Sequence, residues 1–268
     1  MNAVDRYLIF GLRHVEGWLD PYSADVIRAL SDIQRRLGFV GAVGEIGVHH
    51  GKLLILLILT AAEHEKAFAI DVFENQELNV DLSGRGDKEK FLSNLARWAG
   101  TPRAISTIAK SSFEVRPEEI LSACGRVRIA SIDGGHTEEC ALNDLRLIEA
   151  VLTEEGIAIL DDYFNPHWPG VSTGAAKYLC DPNTALRPFA ISPNKIFLTA
   201  PPNADFYRTK LRQQKNFNVE KTAKMFGYEV DVYGCFQPKL TLRRCIKELV
   251  KKSSLGPYIL AIKAQFNR

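Results

Sequence analysis

Val43-Gly-Glu-Ile-Gly-Val-His-His-Gly51 is the stretch on which the reading of this chain turns. Its first residues complete an apolar run from Gly41 to Ile46, which predicts a buried strand. Gly47 then supplies a tight turn, and the apolar run from Leu53 to Leu59 predicts a helix that opens near Gly51 and is buried on most sides. Glycine tolerates positive φ and carries no Cβ, so a ligand can approach the backbone where the helix begins. The spacing is not GxGxxG. It is not a Walker A loop either, since that needs a glycine five residues before the Gly51-Lys52 pair and Ser or Thr after it, where the chain has Ile46 and Leu53. What the stretch does offer is an acid, two glycines four residues apart and, 20 positions after Gly51, Asp71 at the end of the next apolar run. A second-strand carboxylate at a spacing of about 20 residues is where nucleotide-binding α/β folds grip ribose hydroxyls.

Working outward, the chain alternates strands and helices. Val26, Ile27, Leu30, Ile33 and Leu37 recur at helical spacing between Ser23 and Leu37, and Gly38 ends that helix. After the second strand, a polar loop from Asn75 to Lys88 holds Ser83-Gly84-Arg85-Gly86-Asp87; its length suits a binding loop, with Arg85 and Asp87 as candidate contacts, and equally a disordered surface loop. A helix from Lys88 to Trp98 leads to a third strand from Ala104 to Ile108, followed by Ser111 and Ser112. The fourth strand, Val127 to Ile132, runs into Asp133-Gly-Gly-His136, and the fifth, Ile157 to Leu160, into Asp161-Asp162-Tyr163. Two short strands, Phe189 to Ile191 and Lys195 to Thr199, read as an antiparallel hairpin that closes the sheet. This order predicts an α/β protein with a doubly wound, mostly parallel sheet, and ligands in such sheets bind beyond the carboxyl ends of the strands. Residues 1–38 read as a helical cap, 39–204 as the main domain, and 205–268 as a basic extension, mostly helical, with a strand-like piece at 227–230.

Glu45-Ile46-Gly47-Val48-His49-His50-Gly51 resembles the first motif of class I S-adenosylmethionine-dependent methyltransferases, with Asp71 in the place of their ribose-binding acid. The resemblance implies a Rossmann-like fold with S-adenosylmethionine as cofactor. Gly47 and Gly51 would lie along its methionine part, Glu45 would position its amino group, and Ser111, Ser112 and Asp133 would complete the cofactor contacts.

If strands four and five are neighbours, their ends lie about 5 Å apart, and Asp133 stands beside Asp161 and Asp162. Three carboxylates so close repel one another unless a cation lies between them, and hard oxygen ligands suit Mg²⁺. Asp133-Gly-Gly-His136, Asp161-Asp162-Tyr163 and Pro169-Gly170-Val171 together are similar to the metal-dependent O-methyltransferases that modify natural-product sugars, as in macrolide biosynthesis; the similarity runs from about Gly41 to Thr199. It implies Asp133, Asp161 and Asp162 as metal ligands, with Asp162 alternatively orienting substrate. Some relatives place a carboxylate two residues after the first ligand; Gly135 stands there, so the general base is assigned to His136. His167 and Trp168, just beyond, are candidates for lining the acceptor site or for packing the loop. Asp-Gly-Gly is also an ordinary turn, and Thr137 or His136 can cap the following helix.

The 268 residues, 46% hydrophobic and 25% charged, are an ordinary globular composition. Asp5, Arg6, Arg13 and Glu16 interrupt the N-terminal apolar residues, against a signal peptide, and no run reaches the roughly 20 residues of a membrane span. Five cysteines without a CxxC pair fit a reduced, cytoplasmic protein. Net charge is +2, yet residues 205–268 hold 14 Lys and Arg against 5 Asp and Glu. That asymmetry is compatible with contact to an anionic membrane face or with a solvated helical surface. A small-molecule or glycan acceptor is expected in preference to nucleic acid, because amino-methylating nucleic-acid enzymes carry an acid or Asn, two prolines and an aromatic where this chain has Asp-Gly-Gly-His. A homo-oligomer is compatible with the sequence, as are a phenolic acceptor and a noncatalytic cofactor-binding role.

Overall fold

A computed structural model describes residues 1–100 and 105–235 of the chain. Its centre is a nine-stranded sheet in the order β3-β2-β1-β4-β5-β7-β6-β9-β8. The first five strands run parallel: β1 (Ala42–Ile46), β2 (Ala67–Asp71), β3 (Ile105–Ala109), β4 (Val127–Ile132) and β5 (Leu152–Leu160). The order reverses between β1 and β4, which creates the crevice at their carboxyl ends where doubly wound sheets bind ligands. β7 (Lys195–Thr199) pairs antiparallel with β5 and with β6 (Arg187–Ser192), as the hairpin reading required.

The sheet does not end at that hairpin. Residues 205–268 were expected to be mostly helical with a strand-like piece at 227–230; the helix Pro201–Arg212 is there, the strand-like piece falls in β9 (Tyr228–Val232), and β8 (Lys221–Met225), which was not expected, precedes it. β9 pairs parallel with β6 and antiparallel with β8. Their two-residue turn is Phe226-Gly227, with φ of +49° and +84°. Both centres lie in the left-handed region that matches strand twist in tight hairpins. Phenylalanine at the first of them is not the Asn-Gly cue by which such turns are read from sequence. The remainder of the basic extension, residues 236–268, lies outside the described residues.

Helices cover both faces. Pro21–Arg36, Lys52–Thr60 and Pro201–Arg212 bury their apolar sides in a cluster that includes Val43, Ile129 and Phe197 from one face of the sheet. Pro117–Cys124, Glu138–Val151 and Pro169–Cys180 pack on the other face, around Ile46, Ile132 and Leu160. Lys52–Thr60 is short but almost wholly apolar: Leu53 through Ile58 are all buried, so the burial expected from the sequence is met. The N-terminal residues 3–14 are helical, with a π-turn at Tyr7–Gly11, and Tyr7 is buried in the first cluster. No helix among the described residues is long and apolar enough to cross a membrane.

Candidate active site

The strand ends step across the crevice by backbone hydrogen bonds. Gly47 N–H donates to the Ile70 carbonyl (2.8 Å), Asp133 N–H to Ile46 (2.8 Å) and Asp161 N–H to Ile132 (3.0 Å). These bonds set the glycine turn and the two acidic turns side by side. Above them opens a cavity of about 490 Å³, within the size range of small-ligand pockets. Gly47, Asp71, Ser111, Ser112, Asp133, His136, Asp161, Asp162 and Trp168 all stand on its wall.

Gly47 has φ of +81°, and a Cβ there would lie 1.7 Å from the Asp133 carbonyl oxygen, so no other residue fits the turn. Asp71 is fixed at the end of β2: one oxygen accepts from His49 N–H (2.7 Å) and the other from Phe73 N–H (2.6 Å). Burial pushes its carboxyl upward, against those hydrogen bonds. Five sequence candidates are not on the cavity wall, the loop residues Arg85 and Asp87 among them. Gly51 is glycine for packing, because its φ is +87° and a Cβ would meet the Phe91 ring at 2.5 Å. Glu45 is buried beneath the turn and accepts from Leu54 N–H (2.9 Å), bracing the helix Lys52–Thr60; burial and then Asp133 drive its carboxyl well above the usual range. His167 is exposed, its N–H turned to Asn165 Oδ1 at 3.0 Å.

In the acidic half, Asp133, His136 and Asp162 converge, with ligand atoms within 4.8 Å of one another. His136 Nε2 lies 2.9 Å from Asp162 Oδ2 and 3.8 Å from Asp133 Oδ1. The imidazole stacks on Trp168 at 4.5 Å between centroids, so that face of the indole is not open to a sugar. Asp161, expected among the metal ligands, is outside the converging set. Its Oδ2 is taken by the ammonium of Lys195, and its Oδ1 accepts from Asp162 N–H (2.9 Å) and Asn194 Nδ2 (3.1 Å). Burial would raise Asp162, but hydrogen bonds from His136, Asn165 and Asn194 bring it to about 2. Burial likewise opposes protonation of His136, yet the hydrogen bonds to Asp133, Asp162 and Asp81 lift it to about 11. Thr137 is the N-cap of the helix Glu138–Val151, so the turn reading of this stretch holds beside the functional one.

The sequence reading missed two partners. Asp81, from the loop between β2 and the helix Lys88–Ala99, accepts from both the backbone N–H (2.5 Å) and Nδ1 (2.7 Å) of His136. Lys195 is the first residue of an otherwise apolar strand and is fully buried against Asp161. A lysine opening such a strand was a legible signal; nothing in the spacing of Asp81 marked it. Of the loop candidates, Arg85 is exposed and Asp87 caps the helix Lys88–Ala99 through Lys90 N–H at 2.8 Å.

Asp81, Asp133, Asp161 and Asp162 thus set four carboxylates against the two cations Lys195 and protonated His136. That surplus of negative charge, with Asp133 and Asp162 on the cavity wall, fits a divalent cation. Glu16, His49 and His50 also approach within 4.8 Å. There the two imidazoles stack at 3.8 Å and 22°, which points their in-plane lone pairs side by side, and the Lys52 ammonium bonds the adjacent Gly17 carbonyl at 2.5 Å. That second group sits at the start of the helix, with His49 also on the cavity wall.

Residues 45–163 match the family described as "Methyltransferase domain". Among solved structures, the O-methyltransferase NovP is similar at 14% identity and a TM-score of 0.56, covering 66% of this chain and 80% of its own. CalS11, a calicheamicin methyltransferase, is similar at 18% identity and 0.50, over 74% of this chain and 91% of that one. The MycE methyltransferase of the mycinamycin pathway, solved with Mg, SAH and mycinamycin VI, is similar at 15% identity and 0.50, over 75% and 54%. No curated protein matches the sequence. Residues 45–163 thus match a methyltransferase-domain model, and the chain shares the fold of these solved O-methyltransferases.

Proposed function

We propose that this chain moves a methyl group from S-adenosylmethionine to a hydroxyl of a sugar or glycoside, with Mg²⁺ held by Asp133 and Asp162 and with His136 taking the hydroxyl proton. One observation carries the reading. Asp133, His136 and Asp162 stand on the wall of the same cavity as Gly47 and Asp71, so one space serves methyl donor and acceptor. When bound, the cofactor supplies an activated methyl on sulfur, and the cation lowers the pKa of the acceptor hydroxyl.

The rest falls to the chain's own residues. Gly47 leaves its backbone open to the cofactor, and Asp71 presents carboxylate oxygens at the end of β2. Lys195 neutralises Asp161, which leaves the excess charge on Asp133 and Asp162. His136 Nε2, 2.9 Å from Asp162, is the proton acceptor. The carboxylates around it favour the imidazolium, so its service as a base requires another positive charge to be set against Asp133 and Asp162. Holding acceptor and methyl donor in register supplies much of the rate. The MycE complex with Mg, SAH and mycinamycin VI supports the choice of cation and acceptor class. The acidic floor argues against a nucleic-acid acceptor, since four carboxylates repel a phosphate backbone.

Calorimetric titration with S-adenosylhomocysteine in the presence of Mg²⁺ tests the cofactor half without knowledge of the acceptor. One-to-one binding is expected, weakened by roughly 10- to 100-fold in Asp71→Ala, the worth of a hydrogen bond to a charged group. A panel of glycosides and nucleotide-sugars, assayed with and without a chelator, then tests the acceptor half. A folded sample that does not bind S-adenosylhomocysteine refutes the reading.

A further inference from the structure

Asp81 stands on no strand or helix, yet its side chain is only 8% exposed and is committed at both oxygens. Oδ1 accepts from Ser83 N–H (2.8 Å), closing a turn within its own loop. Oδ2 accepts from His136 twice, from the backbone N–H at 2.5 Å and from ring Nδ1 at 2.7 Å. Ser83 Oγ adds a second contact to the same Nδ1 at 3.0 Å. One oxygen that holds both main chain and ring leaves the imidazole little freedom about χ1. The loop is itself fixed: Asn79 Nδ2 donates to Gln76 Oε1 (3.0 Å) and to the carbonyls of Ser83 (2.9 Å) and Gly84 (3.1 Å). At its other end the loop lies on the cofactor half, where a Cβ at Gly86 would come within 2.6 Å of Asp71 Oδ1.

We infer that Asp81 is a positioning residue for His136: it holds the proton on Nδ1 and fixes the ring so that Nε2 stays on the acceptor side, beside Asp162 and Asp133. The inference rests on the reading of His136 as the base. In the step it serves, the acceptor O–H bond breaks, the electron pair stays on oxygen, and a new N–H bond forms at Nε2. The resulting imidazolium keeps its Nδ1–H···Asp81 hydrogen bond, so the charge that appears on the ring is met by a carboxylate already in place. A loop from the cofactor side therefore sets the direction of the base on the acceptor side. The partners that orient metal-bound histidines set the scale, since their loss typically costs about 10- to 100-fold in activity.

The test uses the full chain labelled with ¹⁵N-histidine, saturated with S-adenosylhomocysteine and Mg²⁺, and compares the wild type with Asp81→Asn at one pH. The His136 signals are assigned by their loss in His136→Gln. The wild type is expected to show an exchange-protected proton on Nδ1, and Asp81→Asn to lose it while binding S-adenosylhomocysteine as before. On a glycoside that the panel identifies, Asp81→Asn should lower kcat by about 10- to 100-fold with KM little changed. Added to His136→Ala, it should cost nothing further, because it acts through the ring. A protected Nδ1 proton that persists in Asp81→Asn overturns the inference. So does loss of cofactor affinity, which would make Asp81 only a latch for its loop, or a double variant slowed by the product of the two separate losses. Should His136→Ala keep full turnover, the base assignment fails instead, and the ring spectra still decide whether Asp81 orients it.

Discussion

His136→Ala should lower the turnover of methyl transfer by about 10²- to 10⁴-fold, the usual contribution of a positioned general base, with S-adenosylhomocysteine affinity held near that of the wild type. The separation follows from geometry. His136 touches Asp81, Asp162 and Trp168, whereas Gly47 and Asp71 sit at the ends of β1 and β2 and make no contact with its ring. Removing the imidazole also removes the positive charge between Asp81 and Asp162. The variant should therefore lose stability at neutral pH, and Mg²⁺ should restore more of it than in the wild type, since the remaining carboxylates gain most from a cation. Added imidazole should return part of the lost turnover, because the variant leaves a space of that shape beside Asp162. Steady-state kinetics, the calorimetric titration and thermal melts with and without Mg²⁺ check these three expectations. Turnover equal to the wild type would move the base to another group.

The glycine turn and the acidic strand ends were legible because each rests on a local rule. A strand that ends just before Gly47, with an acid at the end of the next strand, follows from the periodicity of apolar residues and the chain reversal, and Val127–Ile132 and Lys195–Thr199 are spans read from sequence without a residue's error. The parallel order then places Asp133 beside Asp161 with no further information. Sequence could not tell which oxygens stay free. Asp161 and Asp162 are adjacent in the chain, yet Asp162 has φ of +57° and turns its carboxylate to His136, while Asp161 turns to Lys195 on β7. That division depends on a strand 34 residues later in the chain. Asp81 was hidden for the same reason. A loop residue is placed by the turn its neighbours adopt, and the residues singled out in that loop, Arg85 and Asp87, answer to solvent and to a helix N-terminus instead. β8 was missed through its turn residue, and Glu45 and Gly51, expected beside the cofactor, are held by the packing of the helix Lys52–Thr60.

Arg128→Met should cost about 3–5 kcal/mol of stability, the usual result of removing one partner from a buried ion pair. Arg128 is fully buried in β4, two-pronged on Glu65 at 2.7 and 3.1 Å, with its remaining donors on Ser31 Oγ and Gln34 Oε1, both at 2.9 Å. Glu65 in turn accepts from the backbone N–H groups of Gly41 (3.1 Å) and Ala62 (2.7 Å), so the pair ties β4 to the helix Pro21–Arg36 and to the chain entering β1. Methionine fills much of the volume but leaves the Glu65 carboxylate buried without a counter-charge. Burial alone would raise Glu65, yet the hydrogen bonds from Arg128 and the backbone hold it below its ordinary value. Its ionised form therefore adds stability above the unfolded pKa of about 4.3, and that contribution is lost as pH falls through the lower folded pKa. In Arg128→Met the guanidinium is gone and burial prevails, so Glu65 takes up a proton more readily. The deficit against the wild type should accordingly be larger at pH 7 than at pH 4.5, and Glu65→Leu in the same chain should recover part of it. Arg128 lies at the start of β4, at the opposite end from Asp133, so turnover at low temperature should be preserved. Urea unfolding at the two pH values reads the effect, and an equal deficit at both would mean that the cost is one of packing, with the charge on Glu65 playing no part.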